Sequence, residues 1–323
     1  MREEIAREQP WGREIEERRD WRSGIDAGEL LELEEALDGD AKAPLPRLSA
    51  RLGRMSELLE HGPGVCLLRG LPVGSWGSSR AETALALLGE RLGTPVSQSA
   101  TGERIFHVRD EGFAPSDERF RGPSSNKRLR FHTDRCDVIG FLCLRAAREG
   151  GENHVISSPR VHEELERRRP ELLKALYGEF PYLRHTVDQG NELPYVLLPV
   201  FSFARGRFAG HLLRVLIDRA DSSDVAPGLE AAQREALDAL DEVGEERGLQ
   251  LRVRLEEGDL LLLNNWTTFH RRTEFVDGEG AQGRRHLLRI WLSMPNSRPL
   301  VEAFRPHFGA VEAGALRGGM RRV

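Results

Sequence analysis

His132-Thr133-Asp134, inside the run Arg130-Phe131-His132-Thr133-Asp134-Arg135-Cys136-Asp137-Val138, sets two metal-binding side chains one residue apart. A third candidate, His270, lies far downstream in Asn264-Asn265-Trp266-Thr267-Thr268-Phe269-His270-Arg271-Arg272-Thr273. Two imidazoles and one carboxylate are the ligand set that holds non-haem Fe(II) on one face and leaves neighbouring positions open for oxygenase chemistry. On a β-strand, residues i and i+2 share a face, so His132 and Asp134 aim at one point while Thr133 turns away. Taken alone, His-x-Asp is a weak signal in a chain with ten histidines, and a surface histidine beside an acid is the ordinary alternative.

Positioning such a site requires a sheet. The apolar stretch Val138-Ile139-Gly140-Phe141-Leu142-Cys143-Leu144 reads as a strand entering a buried sheet, which puts the His-x-Asp pair at a strand end or in the loop beside it. Strands are also expected over 65–70, 251–255, 260–265 and 286–292, and helices over 26–37, 48–60, 79–92, 162–177 and 229–247. Asp26 with Glu29 forms a capping-box signature for the first of those helices. Short strands gathered around both histidine motifs, with helices outside them, suggest a mainly β fold with helical decoration, a β-barrel or jelly roll. Residues 1–60 read as a helical entry segment.

Composition narrows the setting. The chain has 323 residues, 39% hydrophobic and 31% charged, with a net charge of -5, ordinary values for a globular protein and no pointer to nucleic acid. Its longest aliphatic run, Leu260 to Leu263, is far short of the ~20 residues needed to cross a bilayer. The charged start, Met1-Arg2-Glu3-Glu4-Ile5, lacks a secretory pattern, so a cytoplasmic location is expected, with no membrane partner. Cys66, Cys136 and Cys143 form no CxxC pair and read as small core residues.

The motifs carry a family likeness. From about Gly64 to Leu300 the chain resembles the Fe(II)- and 2-oxoglutarate-dependent dioxygenases of the taurine dioxygenase, clavaminate synthase and γ-butyrobetaine hydroxylase (TauD/TfdA) superfamily. The resemblance rests on Phe131-His132-Thr133-Asp134, on Leu142 to Glu152, and above all on Gly258-Asp259 and Asn264 ahead of His270-Arg271-Arg272-Thr273, followed by Arg284-Arg285-His286-Leu287-Leu288-Arg289-Ile290-Trp291-Leu292. It implies a double-stranded β-helix (jelly roll, cupin-like) over residues 64–300, within a single dioxygenase domain spanning 1–323. It implies His132, Asp134 and His270 as iron ligands, with 2-oxoglutarate and O2 as co-substrates. Arg285 matches the arginine that grips the far carboxylate of 2-oxoglutarate, a bidentate charge-assisted contact. Arg289 matches a second arginine facing the site, its partner being either the co-substrate or an acidic group of the prime substrate. Asn153 stands where taurine dioxygenase has a threonine helping to bind the co-substrate, and an amide can still donate to a carboxylate.

The implied reaction is hydroxylation of a C–H bond in a small, polar, carboxylate-bearing metabolite, with release of succinate and CO2. Asp134 is the carboxylate that related halogenases lack, so its presence favours hydroxylation or desaturation over chlorination. The rival is a non-catalytic β-helix that binds a small acid as a sensor or vestigial scaffold. A homo-oligomer is left open. Trp266 reads as core packing, and Gln98, Ser99 and Thr101 are candidates for lining the substrate pocket. Gly278-Glu279-Gly280-Ala281-Gln282-Gly283 spells GxGxxG but precedes a strand, so it reads as a loop and not a dinucleotide fingerprint. Lys127, Arg128 and Arg130 read as a solvated basic cluster.

Overall fold

In the computed structural model, which describes residues 2–99, 101–113, 122–184, 188 and 191–320, the alternation of apolar side chains along the strands divides the core into three. The large sheet runs in the order Arg22–Gly24, Val65–Arg69, Leu260–Asn264, Val138–Arg145, His286–Ser293, and both Thr94–Pro95 and Ile105–Val108 pair with the last of these. Its pairings are antiparallel except the first. A second sheet sets Asn153–Ser157 between Gln250–Val253 and Thr268–Arg272, again antiparallel.

Successive side chains on a strand point to opposite faces. On the large sheet, Leu68, Leu142, Leu260, Leu262, Leu288 and Ile290 pack outward against the helices Ala27–Asp38, Pro46–His61 and Val73–Leu92. Their neighbours Leu67, Ile139, Phe141, Leu261, Leu287 and Trp291 face the other way, into a core shared with Val155, Leu251 and Val253 of the smaller sheet. The outward residues of that sheet, Ile156 and Phe269, pack on a third core with the helices Ser158–Arg168, Pro170–Ala175 and Ala231–Glu245. Sheets with helices packed on their outer faces are the architecture expected from sequence. Parity then decides the chemistry: Asn153, His270, Arg272 and Arg289 share the inward phase of their strands, and Arg285 stands just ahead of His286–Ser293.

The capping box is formed as read, with Glu29 N–H donating to Asp26 Oδ1 at 2.9 Å and Asp26 N–H donating to Glu29 Oε2 at 3.0 Å. Two helices differ from expectation. The one placed at 162–177 is split into Ser158–Arg168 and Pro170–Ala175, because Pro170 disfavours helical backbone at Arg169, which sits at φ -143° and ψ 60°. The one placed at 79–92 starts earlier, at Val73, across a break at Gly77 with φ 72°. Within residues 1–60, the short strand Arg22–Gly24 joins the large sheet, a feature with no apolar alternation to announce it. Trp266 is core, as expected, its Nε1–H donating to Asp137 Oδ1 at 2.8 Å. All three cysteines are buried and unpaired. Among the described residues no helix is long and apolar enough to cross a membrane.

Candidate metal centre

The His-x-Asp segment is tied to the smaller sheet by one bridge. His132 N–H donates to the His270 carbonyl at 3.0 Å, and His270 N–H donates back at 3.0 Å. Residues exchanging both bonds stand directly opposite one another, and the two imidazole rings lie 4.4 Å apart between centroids. Thr133 turns away as expected, its Oγ1 lying 3.0 Å from His211 Nδ1 and accepting from Leu212 N–H at 3.1 Å. Asp134 is brought back to the histidines by its own N–H, which donates to Asn265 Oδ1 at 3.1 Å.

The result is convergence. One ligand atom from each of His132, Asp134 and His270 lies within 4.8 Å of the others. Asp134 Oδ2 is 3.3 Å from His270 Nε2 and 3.8 Å from His132 Nε2. Both Asp134 Oδ2 and His270 Nε2 are buried without a hydrogen-bond partner, a costly state for polar atoms unless something else binds them. His132 Nδ1 is 2.9 Å from the Arg130 carbonyl; a carbonyl only accepts, so the proton is on Nδ1 and the Nε2 lone pair is free to ligate. Burial takes the His132 pKa down to about 4, with His270 adding to the effect, so the ring is neutral at pH 7. Burial, the largest influence on Asp134, pushes its acid form up, yet Arg289 and the two imidazoles together hold it well below the usual carboxylate range. An ionised carboxylate and the neutral His132 ring, with orphaned atoms of Asp134 and His270 beside them, fit a divalent cation.

The metal-ligand candidates open onto a cavity of about 530 Å3, which Asn153, Arg272, Arg285 and Arg289 also line. Arg285 is 3% exposed, its Nη1 is buried without a partner, and burial draws it down to about 10. Asn153 Nδ2 is likewise buried and unpartnered. The turn that allows this is Gly150-Gly151: at Gly151, φ is +70° and an added Cβ would lie 3.0 Å from Arg285 Nε. Arg289 Nη1 lies 3.5 Å from Asp134 Oδ1 and its Nε–H donates to Gln98 Oε1 at 2.7 Å, while its Nη2 is buried without a hydrogen-bond partner.

Other expectations sort themselves here. Gln98 is wholly buried and supports Arg289, while Ser99 bonds Thr101 at 2.8 Å, and none of the three lines the cavity as proposed from sequence. The basic cluster is a solvated face with partners, Lys127 with Glu274, Arg128 with Glu245 and Arg130 with Asp218. The GxGxxG segment closes on itself, Gly278 N–H donating to the Gly283 carbonyl at 2.8 Å. Sequence reasoning missed Arg272, although its position two residues after His270 on a strand was a usable signal. It also missed a further part of the cavity lining, where Arg135 and Arg184 both reach Asp188 Oδ2, at 2.8 and 3.2 Å, and which includes Tyr182 and His211. No local pattern joins those residues.

Comparison with known proteins speaks to the family and the fold. FR-33289 synthase of Streptomyces rubellomurinus is 31% identical over 323 residues, spanning 94% of this chain and 95% of that protein. An asparagine oxygenase solved with Fe(II), hydroxyasparagine and succinate superposes with a TM-score of 0.67 at 22% identity, covering 84% of this chain and 94% of its own. The non-heme iron oxygenase OrfP, solved with Fe and alpha-ketoglutaric acid, gives 0.59 at 20% identity over 84% and 93%. At those identities the solved structures speak for the fold, and the family assignment comes from sequence. Residues 29–291 match the family model described as taurine catabolism dioxygenase TauD, TfdA family, and the chain belongs to that family.

Proposed function

We propose that this Fe(II)- and 2-oxoglutarate-dependent dioxygenase hydroxylates an unactivated C–H bond of a small polar metabolite, with His132, Asp134 and His270 holding the iron. The observation that carries this reading is the convergence of ligand atoms from half-buried His132 and Asp134 and buried His270 within 4.8 Å, with Asp134 Oδ2 and His270 Nε2 lacking hydrogen-bond partners. Iron, when bound, supplies the activation of O2 at the expense of 2-oxoglutarate, which leaves as succinate and CO2. The chain's own residues supply placement. Arg289 keeps Asp134 ionised and fixes one of its oxygens. Arg285, unpaired and buried beside Asn153, is the grip for the far carboxylate of the co-substrate. A binding-only protein would have no use for a ligand set of this kind.

The prime substrate lies on the side of Tyr182, His211 and the row Arg184–Asp188–Arg135, a compartment with charges of both signs suited to a polar, carboxylate-bearing molecule. Solved structures of similar fold are complexes with hydroxyasparagine and with hydroxy-L-Arg, which supports a small polar substrate. The family also supports closure of the two sheets as a double-stranded β-helix, a single catalytic unit over the chain, and a cytoplasmic enzyme. The test is direct: with Fe(II) and O2 the purified protein should convert 2-oxoglutarate to succinate slowly without a prime substrate and faster with a suitable polar metabolite. Asp134→Ala should abolish both Fe(II) binding and turnover. Wild-type protein that binds Fe(II) yet turns over no 2-oxoglutarate across a substrate panel ends the proposal.

A further inference from the structure

We infer that Arg272 is a second cationic arm for the far carboxylate of the co-substrate, acting with Arg285 and Asn153 to select a 2-oxo diacid over a 2-oxo monoacid. The inference rests on the reading of the site given above. Along Thr268–Arg272, Arg272 follows His270 in the same inward phase and stands in register with Asn153 on the neighbouring strand. Arg272 is 4% exposed and Arg285 3%. Their guanidinium carbons both lie over the Phe275 ring, at 4.8 and 5.2 Å from its centroid. One aromatic ring thus seats two like charges at the same end of the cavity.

Neither charge is neutralised by an ion pair among the described residues. Arg272 spends Nη2 on the Lys127 carbonyl and Nε on the Thr273 carbonyl at 3.3 Å, which fixes the group without supplying negative charge. Among the described residues the Arg285 guanidinium has no such bond, and its Nη1 and Asn153 Nδ2 are buried and unfilled. Two guanidiniums crowded in a dry site are expensive unless an anion joins them. A carboxylate accepts up to four hydrogen bonds through its two oxygens, enough for Arg285, Arg272 and the amide together. The ligand that fits is a diacid whose near end is held at the metal.

The experiment is an anaerobic calorimetric titration of the Fe(II)-loaded protein with 2-oxoglutarate and, separately, pyruvate, which has the same chelating end and no far carboxylate. Arg272→Met should weaken 2-oxoglutarate about tenfold or more, the usual range for a hydrogen bond to a charged group, and leave pyruvate unchanged. Arg272→Lys should recover part of the loss. Unchanged 2-oxoglutarate affinity in Arg272→Met, or an equal loss for both acids, overturns the inference and leaves Arg272 a structural anchor for the Lys127 carbonyl. If Arg272→Met does not fold, Arg272→Lys carries the comparison: a reduced preference for the diacid supports the inference, and an unchanged preference overturns it. Failure of the wild-type protein or insensitivity of Arg285→Met to 2-oxoglutarate binding would instead strike the underlying reading.

Discussion

Arg289 Nη1 stands 3.5 Å from Asp134 Oδ1, so the candidate metal carboxylate has its own buried counter-ion before any metal arrives. The arginine is in turn held by Gln98 and lies over the rings of Phe106 and Trp291, at 5.1 and 4.9 Å. Fixing Oδ1 leaves Oδ2 directed toward His270. The pair is therefore a device for presenting one oxygen of an ionised carboxylate to the metal position.

Removing the cation should hurt the metal-free protein most. In Arg289→Met, Asp134 keeps a buried charge without its partner, a change that costs about 3–5 kcal/mol in comparable sites. Bound Fe(II) supplies replacement positive charge. Urea unfolding should therefore show a larger loss of stability without Fe(II) than with it, and Asp134→Asn should restore part of the metal-free loss. Equal losses under both conditions would mean that Arg289 matters for packing rather than for the carboxylate.

Gly151→Ala should loosen the co-substrate grip. The position has φ +70°, and an added Cβ would meet Arg285 Nε at 3.0 Å and Cδ at 3.2 Å. Strain of this kind costs about 1–3 kcal/mol, and relief comes by moving Arg285. Steady-state kinetics should show a raised KM for 2-oxoglutarate with kcat little altered, as for a lost uniform binding contact. A fall in kcat at unchanged KM would contradict the assignment of Arg285.

Two buried histidines that are not metal-ligand candidates set the acid limit. Burial draws the His162 pKa down to about 4 and the His211 pKa down to about 3, with Arg135 adding to the second effect. In the unfolded chain both take a proton near the ordinary value of about 6.5. Below that pH the unfolded state binds more protons, so stability is full above about 6.5 and falls as pH drops toward 4, by up to about 1.4 kcal/mol per pH unit for each ring. His162 sits among Phe201, Phe203 and Phe208. His162→Phe should lower stability at pH 7, since Tyr177 loses the ring nitrogen 2.5 Å from its hydroxyl. It should also flatten the decline between pH 6.5 and 4. Urea midpoints across that range read the slope, and a wild-type slope in the variant would sink the argument.

What could be read from sequence followed from period and type. His132, Asp134 and His270 are metal-binding types in spacings a sheet can bring together, and Asp26 with Glu29 is a local pattern whose partners are three residues apart. Pro170 was a visible helix breaker whose effect was overlooked. The pairing of Gln98 with Arg289 was not legible, because it joins residues 191 positions apart and depends on which strand lies beside which. The pairing of Asp188 with Arg135, far apart in sequence, was equally hidden. Arg272 falls between these cases: its phase follows from that of His270, but a buried guanidinium with no ion-pair partner among the described residues becomes visible only once Phe275 and Arg285 are in place.

Asn265 joins the two halves of the metal position. Its Oδ1 accepts from Asp134 N–H at 3.1 Å, while its Nδ2–H2 donates to the Cys136 carbonyl at 3.2 Å and lies 3.0 Å from Cys136 Sγ. Asp134 thereby takes its backbone position from a residue close in sequence to His270. Residues that orient a metal ligand typically contribute about 10–100-fold to metal affinity. Asn265→Ala should weaken Fe(II) binding within that range and destabilise the fold by about 1–3 kcal/mol through the two unfilled buried groups. Asn265→Asp keeps the acceptor for Asp134 N–H, so its Fe(II) affinity should lie closer to wild type than that of Asn265→Ala, even though the donor to Cys136 is lost. The reverse order in an anaerobic Fe(II) titration would show that the contact with Cys136, and not the one with Asp134, governs the site.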